Sequence, residues 1–203
     1  MRADSDEIAI SNSATARSVV ASPTSCAAIA GESEACTGKI VVIGAGTSGA
    51  VARRLAHLLS VCGTAAFYLN PSDGLHGSLG AVGTGDVVIA ISKGGESTEI
   101  NEFIRRATTR GASTVALTAV LDSELAECVN IAVRIDSASA DPGNVIAMGS
   151  TLATSAWGDA LAVALMRHRQ YAWADVLYSH PGGAFGRHSE ELLAGVGDPH
   201  REG

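Results

Sequence analysis

KIVVIGAGTSGAVARRLAHLLSVCG, residues 39–63, decides the fold. Its first six residues are an apolar run ending in Gly44, the pattern of a strand buried on both faces. After the glycine turn, Val51, Leu55, Leu58 and Leu59 fall on one helical face, and Gly63 can stop the helix. Working outward, TAAFYLN (64–70), DVVIAIS (86–92), STVALT (113–118) and VNIAVRI (129–135) read as four further strands. The spacing predicts a helix over 97–110, with Ile100, Phe103, Ile104 and Ala107 as its inward stripe, and a short helix near 122–127. Residues 136–150 read as a polar loop and 151–169 as one long amphipathic helix. Strands alternating with helices force right-handed crossovers and a parallel sheet covered on both sides. The expected architecture is a three-layer αβα protein with a five-stranded parallel sheet in the flavodoxin-like order 2-1-3-4-5.

Around that unit the composition sets bounds. The chain has 203 residues, 46% hydrophobic and 17% charged, which excludes wholesale disorder. A chain of this length can bury roughly 70% of its unfolded surface in one domain. Fourteen basic residues against 21 acidic ones give a net charge of −7, which argues against a nucleic-acid partner or an anionic membrane surface. No apolar run reaches the length of a membrane helix, and the first seven residues carry three acids, so neither a span nor a secretory signal is expected. Cys26, Cys36, Cys62 and Cys128 lack metal-like spacing and read as free thiols of a cytoplasmic protein. Residues 1–37 are expected to be a weakly ordered leader with one possible helix within 14–30. A single domain over 38–188 follows, then a mobile polar tail over 189–203.

Two glycine-bearing turns carry the functional signal. Gly44-Ala-Gly46-Thr-Ser-Gly49 formally matches G-x-G-x-x-G, but the second strand ends at Asn70-Pro71 without the acid that would hold a dinucleotide ribose. The turn could equally be a tight strand-to-helix connection that needs no ligand. The second turn, Ser92-Lys93-Gly94-Gly95-Glu96-Ser97-Thr98-Glu99, brings hydroxyls, free N–H groups and a helix N-terminus together after the third strand. One such turn is most simply a helix cap. Two side by side, at the point where an α/β sheet binds ligands, suit a phosphate monoester.

GAGTSG (44–49), DVVIAISKGGESTEI (86–100), GDALAVALM (158–166) and above all SHPGGAFGR (179–187) resemble the sugar isomerase (SIS) domain family, and within it the arabinose-5-phosphate isomerases. The resemblance covers about 38–188 and implies a free-standing SIS domain without the paired regulatory domains often found after it. It implies aldose–ketose isomerisation of a sugar phosphate by enediol proton transfer, without a redox cofactor; no His/Cys pair has helical or hairpin ligand spacing, so no metal is expected. By the same resemblance the phosphate sits on Ser48, Ser92, Ser97 and Thr98 and on the backbone of 94–97, Gly94 and Gly95 included. Glu99 matches a catalytic glutamate and His180 a catalytic histidine often delivered from a neighbouring subunit; His76 matches a further active-site histidine. The chain departs from that pattern at Thr47, where those isomerases have lysine, and at Ser139, where they have glutamate. Gly94 also stands in place of a hydroxyl. Lys93, one of only two lysines in the chain, could supply the lost charge, and Asp141 the lost carboxylate.

Each residue also has a plainer reading. Glu99 could simply favour the helix dipole, and His180 and His76 could be packing histidines. His57, among leucines, reads as partly buried and structural; Trp157 and Trp173 read as core or interface aromatics, and Asp159 as a structural carboxylate. The resulting expectation is a phosphosugar isomerase, acting on a pentose or tetrose phosphate and assembled as a dimer or tetramer. The alternatives are a phosphosugar-sensing module without turnover and a 6-phospho-3-hexuloisomerase.

Overall fold

The computed structural model describes residues 17–20, 37–135, 140–188, 191 and 193–194. Five strands form the centre: β2 (Ile40–Gly44), β3 (Ala66–Leu69), β4 (Val87–Ile91), β5 (Ser113–Thr118) and β6 (Ile131–Arg134). They pair in parallel in the order β3-β2-β4-β5-β6, the predicted 2-1-3-4-5 pattern. β2, β4 and most of β5 and β6 are buried, which explains why they read as unbroken apolar runs. The sheet has a sixth strand that sequence reading did not foresee. β1 (Arg17–Val20) runs parallel to β6 and covers its outer edge, with Arg17 beside Ile131 and Val20 beside Arg134. The rest of the expected leader, Cys26 and Cys36, Ser139, and nearly all of the expected tail lie outside the described residues.

Helices cover both faces. On one side, α1 (Gly46–Val61) and α5 (Gly149–His168) pack Leu55, Leu59, Trp157, Leu161 and Leu165 against Ile40, Val42, Ile89 and Leu117. On the other, α3 (Thr98–Thr109) and α4 (Glu124–Cys128) set Ile100, Phe103, Ile104 and Leu125 against Val41, Ile43, Val88 and Ala116. Alternate residues of each strand therefore serve opposite cores. Fully burying one such Leu, Ile or Phe side chain contributes about 1.5–3 kcal/mol. Trp157 belongs to this core at 6% exposure, and Trp173 packs at its edge. His57 is corrected: it is exposed, because the buried stripe of α1 is Val51, Ala52, Leu55, Ala56 and Leu59, and position 57 falls on the outer side.

The short α2 (Pro71–Leu75) explains the missing acid after β3. Asn70 caps it, its Oδ1 accepting the Ser72 N–H at 2.9 Å, and Pro71 occupies the first helical position. Two short helices, α6 (Trp173–Tyr178) and α7 (Gly183–Arg187), follow α5. Among the described residues no helix is long and apolar enough to cross a membrane.

At the opposite edge of the sheet from the strand C-termini, Asp86 ties the entries of β2 and β4 together. Its carboxylate accepts the backbone N–H groups of Lys39 and Gly83, at 3.0 and 2.9 Å, and pairs with the Lys39 ammonium at 2.8 Å. Burial alone would raise its pKa, but the Lys39 and Gly83 hydrogen bonds outweigh that and hold it below the usual aspartate value. We expect Asp86→Asn to lose about 2 kcal/mol at neutral pH, since an amide has one acceptor oxygen for three donors. A depressed folded pKa stabilises the protein above the unfolded value and is lost in acid. Urea unfolding across pH should therefore show the difference between wild type and variant constant above about pH 5 and narrowing below about pH 4.

Candidate functional site

The register of the central strands places the two glycine-bearing turns side by side. Gly44, the last residue of β2, lies beside Ile91, the last residue of β4, and Ile91 lies beside Leu117 of β5. The chain leaves β2 for β3 on one side and leaves β4 for β5 on the other, so a crevice opens between the two turns at the carboxyl edge.

The first turn is shaped by close approach. A side chain on Gly44 would meet the Ser48 carbonyl at 2.8 Å, and one on Gly49 would meet the Gly44 carbonyl at 2.8 Å. Those two glycines serve the packing of α1 on β2. Gly46, with φ +55, has open space beyond its Cα. Tyr68 donates its hydroxyl to the Gly44 carbonyl at 3.1 Å, and the Arg53 guanidinium lies 4.6 Å from the centre of the Tyr68 ring. Ala45, the N-cap residue of α1, makes no side-chain cap bond, and among the described residues the first N–H groups of the helix remain open next to Thr47, which is exposed, and Ser48, which is half-buried.

The second turn is pinned from beneath. Ser92 is buried and its Oγ accepts the Gly95 N–H at 3.2 Å, so this hydroxyl organises the turn. Thr118 donates to the Lys93 carbonyl at 3.1 Å, and the Ala119 N–H donates to the same oxygen at 2.9 Å. Gly95 has φ +72, and any side chain there would collide with Ser123. Gly94 faces open space. Ser97 is the N-cap residue of α3 but makes no side-chain cap bond, leaving its hydroxyl and the first N–H groups of α3 available beside exposed Thr98. Glu99 is half-buried in that first turn, with no hydrogen-bond or ion-pair partner among the described residues.

A hydroxyl-rich recess joins these elements to α5. Ser48, Lys93, Thr118, Ser150, Thr151 and Thr154 line it, over the ends of β4, β5 and β6. Thr118, Ser150, Thr151 and Thr154 were not anticipated from sequence. The available signal was Ser150 and Thr154, four residues apart, at the start of the buried stripe of α5. Glu99, His76 and His180 are not part of this recess. His76 is exposed just after α2. His180 follows α6, with Nδ1 2.6 Å from the Val176 carbonyl. A carbonyl only accepts, so Nδ1 carries the hydrogen, and Nε2 is the basic nitrogen of the neutral ring. Asp159 is held by Arg54 in a two-point ion pair on the surface.

Lys93 and Asp141, singled out separately in the sequence, meet each other. Lys93 Nζ is 2.8 Å from Asp141 Oδ2 and donates to the Asn144 carbonyl and Oδ1, at 3.1 and 2.8 Å. The other oxygen of Asp141 accepts the N–H groups of Met148 and Ser150, at 2.7 and 3.0 Å, and so satisfies the start of α5. The Lys93 ammonium, followed by the Ser150 N–H, keeps this carboxyl far below the usual range. Asp141 is therefore a weak base at neutral pH, and Lys93 spends its charge within the protein. Among the described residues no cluster of three or more His, Cys, Asp or Glu could hold a metal ion.

A doubly wound sheet with two open helix N-termini and a hydroxyl-lined recess at its reversal point is an α/β protein of the anion-binding class. The chain belongs to the SIS domain family, whose model matches residues 35–164. It is 41% identical over 165 residues to the arabinose 5-phosphate isomerase KdsD of Salmonella typhi, covering 80% of this chain and 49% of that one. It is 36% identical over 153 residues to the KdsD enzyme of Pseudomonas aeruginosa, covering 74% and 46%. The chain thus spans about half the length of the curated relatives it matches. Among solved structures, a protein of Escherichia coli CFT073 in complex with a sugar phosphate superposes with a TM-score of 0.73 at 33% identity, covering 78% of this chain and 85% of that one.

The ion pair makes a prediction. Removing the Lys93 ammonium strands a carboxylate whose side chain is fully buried, so Lys93→Met should cost about 3 kcal/mol, and the double variant with Asp141→Leu should recover part of it. Chemical denaturation of both single variants and the double variant measures the coupling; additive losses would refute the pairing as a source of stability.

Proposed function

We propose that this chain is a phosphosugar aldose–ketose isomerase of the arabinose-5-phosphate type. The observation that carries the reading is the placement of Glu99. Among the described residues it stands unpaired in the first turn of α3, directly after a turn whose N–H groups and hydroxyls suit a phosphate, in a chain related at 41% identity to KdsD. The phosphate would be held by Ser48, Ser97, Thr98 and the N–H groups of Gly94, Glu96 and Ser97, within a turn organised by Ser92 and Gly95. Two helix N-termini would offset its charge without a cation. Glu99 would take the proton from C2 of the open-chain aldose, the C–H electron pair becoming the double bond of an enediol as the carbonyl oxygen gains a proton. Returning the proton to C1 while the C2 hydroxyl gives up its own completes the ketose. No oxidant or cofactor is needed. His180, through Nε2, would open the ring, and His76 would assist at the active site.

Within this chain His180 lies outside the recess, so the reading takes it from a neighbouring subunit. A homo-oligomer is supported by the apolar side chains left at the surface: Leu152 at 74% exposure on α5 and Tyr178 at 88% on α6. The substrate is a small sugar phosphate, with a pentose or tetrose phosphate favoured by Thr47 in place of lysine. That substitution also favours a second reading, a phosphosugar sensor that binds without turnover.

Proton NMR in D2O on ribulose 5-phosphate and related four- to six-carbon sugar phosphates separates these. An isomerase exchanges deuterium into C1 or C2, and Glu99→Gln slows that exchange by about a hundredfold or more. Saturable binding without exchange would assign the sensor instead. Absence of both would overturn the proposal.

A further inference from the structure

Asn101 is a polar residue on the buried stripe of α3, fully inaccessible among Ile100, Phe103 and Ile104. Its Nδ2 donates to the Gly95 carbonyl at 3.1 Å and to Glu124 Oε2 at 2.7 Å, while Glu124 also pairs with Arg105. Both acceptors lack a hydrogen to give, so the amide has only one orientation here, and that orientation leaves Oδ1 buried without a partner. An amide that leaves its own oxygen unsatisfied is costly in a core. What it secures is the Gly95 carbonyl, which also accepts the Leu125 N–H at 3.0 Å.

The consequence follows from peptide geometry. The Gly95–Glu96 bond is trans, and in a planar trans peptide the C=O and the following N–H point in opposite directions. With the Gly95 carbonyl turned inward onto Asn101 and Leu125, the Glu96 N–H is turned outward. It finds no acceptor among the described residues. Glycine at 95, with φ +72, is the residue most free to let this peptide turn over, so the turn needs a lock. We propose that Asn101, braced by Glu124, is a positioning residue that locks the Gly95–Glu96 peptide with its N–H presented to the phosphate group of the ligand. This rests on the reading of 92–98 as the phosphate-holding turn.

The test uses the full chain labelled with 15N and titrated first with inorganic phosphate, then with ribulose 5-phosphate. The Glu96 amide should be among the most strongly shifted signals, and its hydrogen exchange should slow on saturation. Asn101→Leu should weaken phosphate binding about tenfold, the scale of one lost hydrogen bond, and abolish the Glu96 response while the Thr47 and Ser48 amides still shift. Should Asn101→Leu fail to fold, the wild-type exchange measurement and Glu124→Gln, a near-isosteric change at a half-buried position, decide the matter. Glu124→Gln should weaken the Glu96 response without unfolding the protein. A silent Glu96 amide beside responding Ser97 and Thr98 amides would overturn this inference alone, as would a folded Asn101→Leu variant of unchanged affinity. Silence of both turns would overturn the phosphate reading with it.

Discussion

The pairing of β2 with β4 is the constraint on which the rest of the molecule depends. It is the point at which the sheet changes direction of growth, and its register sets Gly44 level with Ile91. A slip of one residue along these strands would offset the two turns that follow them and turn a strand's alternating side chains onto the wrong core. Asp86 clamps the pair at one edge of the sheet, and the close contacts of Gly44 and Gly49 seat α1 at the other. The crevice is thus a by-product of strand order, held open by packing that needs no ligand.

Much of this was legible in the sequence because strands buried on both faces leave an unambiguous trace. IVVIG and VVIAI could scarcely be anything else, and the inward stripe of α3 appears at the expected residues. What escaped has physical reasons. β1 is RSVV within an Ala- and Ser-rich stretch, and its strand conformation comes from the partner it meets, β6, more than a hundred residues later. His57 was misread because neighbours in sequence are not neighbours on a helix.

The site shows the same division. Turn chemistry announced the two glycine-bearing segments, since Gly, Ser and Thr at the start of a helix have few other uses. Lys93 and Asp141 were each visible as charges near the site, but only the fold shows that they neutralise one another across 48 positions of sequence. Asn101 carried a usable sign, a lone amide on an otherwise apolar stripe, whose meaning depends on a carbonyl supplied by a different element.

β1 has a consequence for how the molecule behaves as a physical object in solution. β6 presents a row of backbone donors and acceptors along its outer side, and four residues far upstream occupy that row. A chain shortened to the span that the family model matches, beginning at residue 35, would lack them. Its outermost strand, with Ile131, Ala132 and Val133 all buried, would become an open template for any extended segment it encountered. Those four residues, remote in sequence from the ligand crevice, thereby guard the domain against edge-to-edge association.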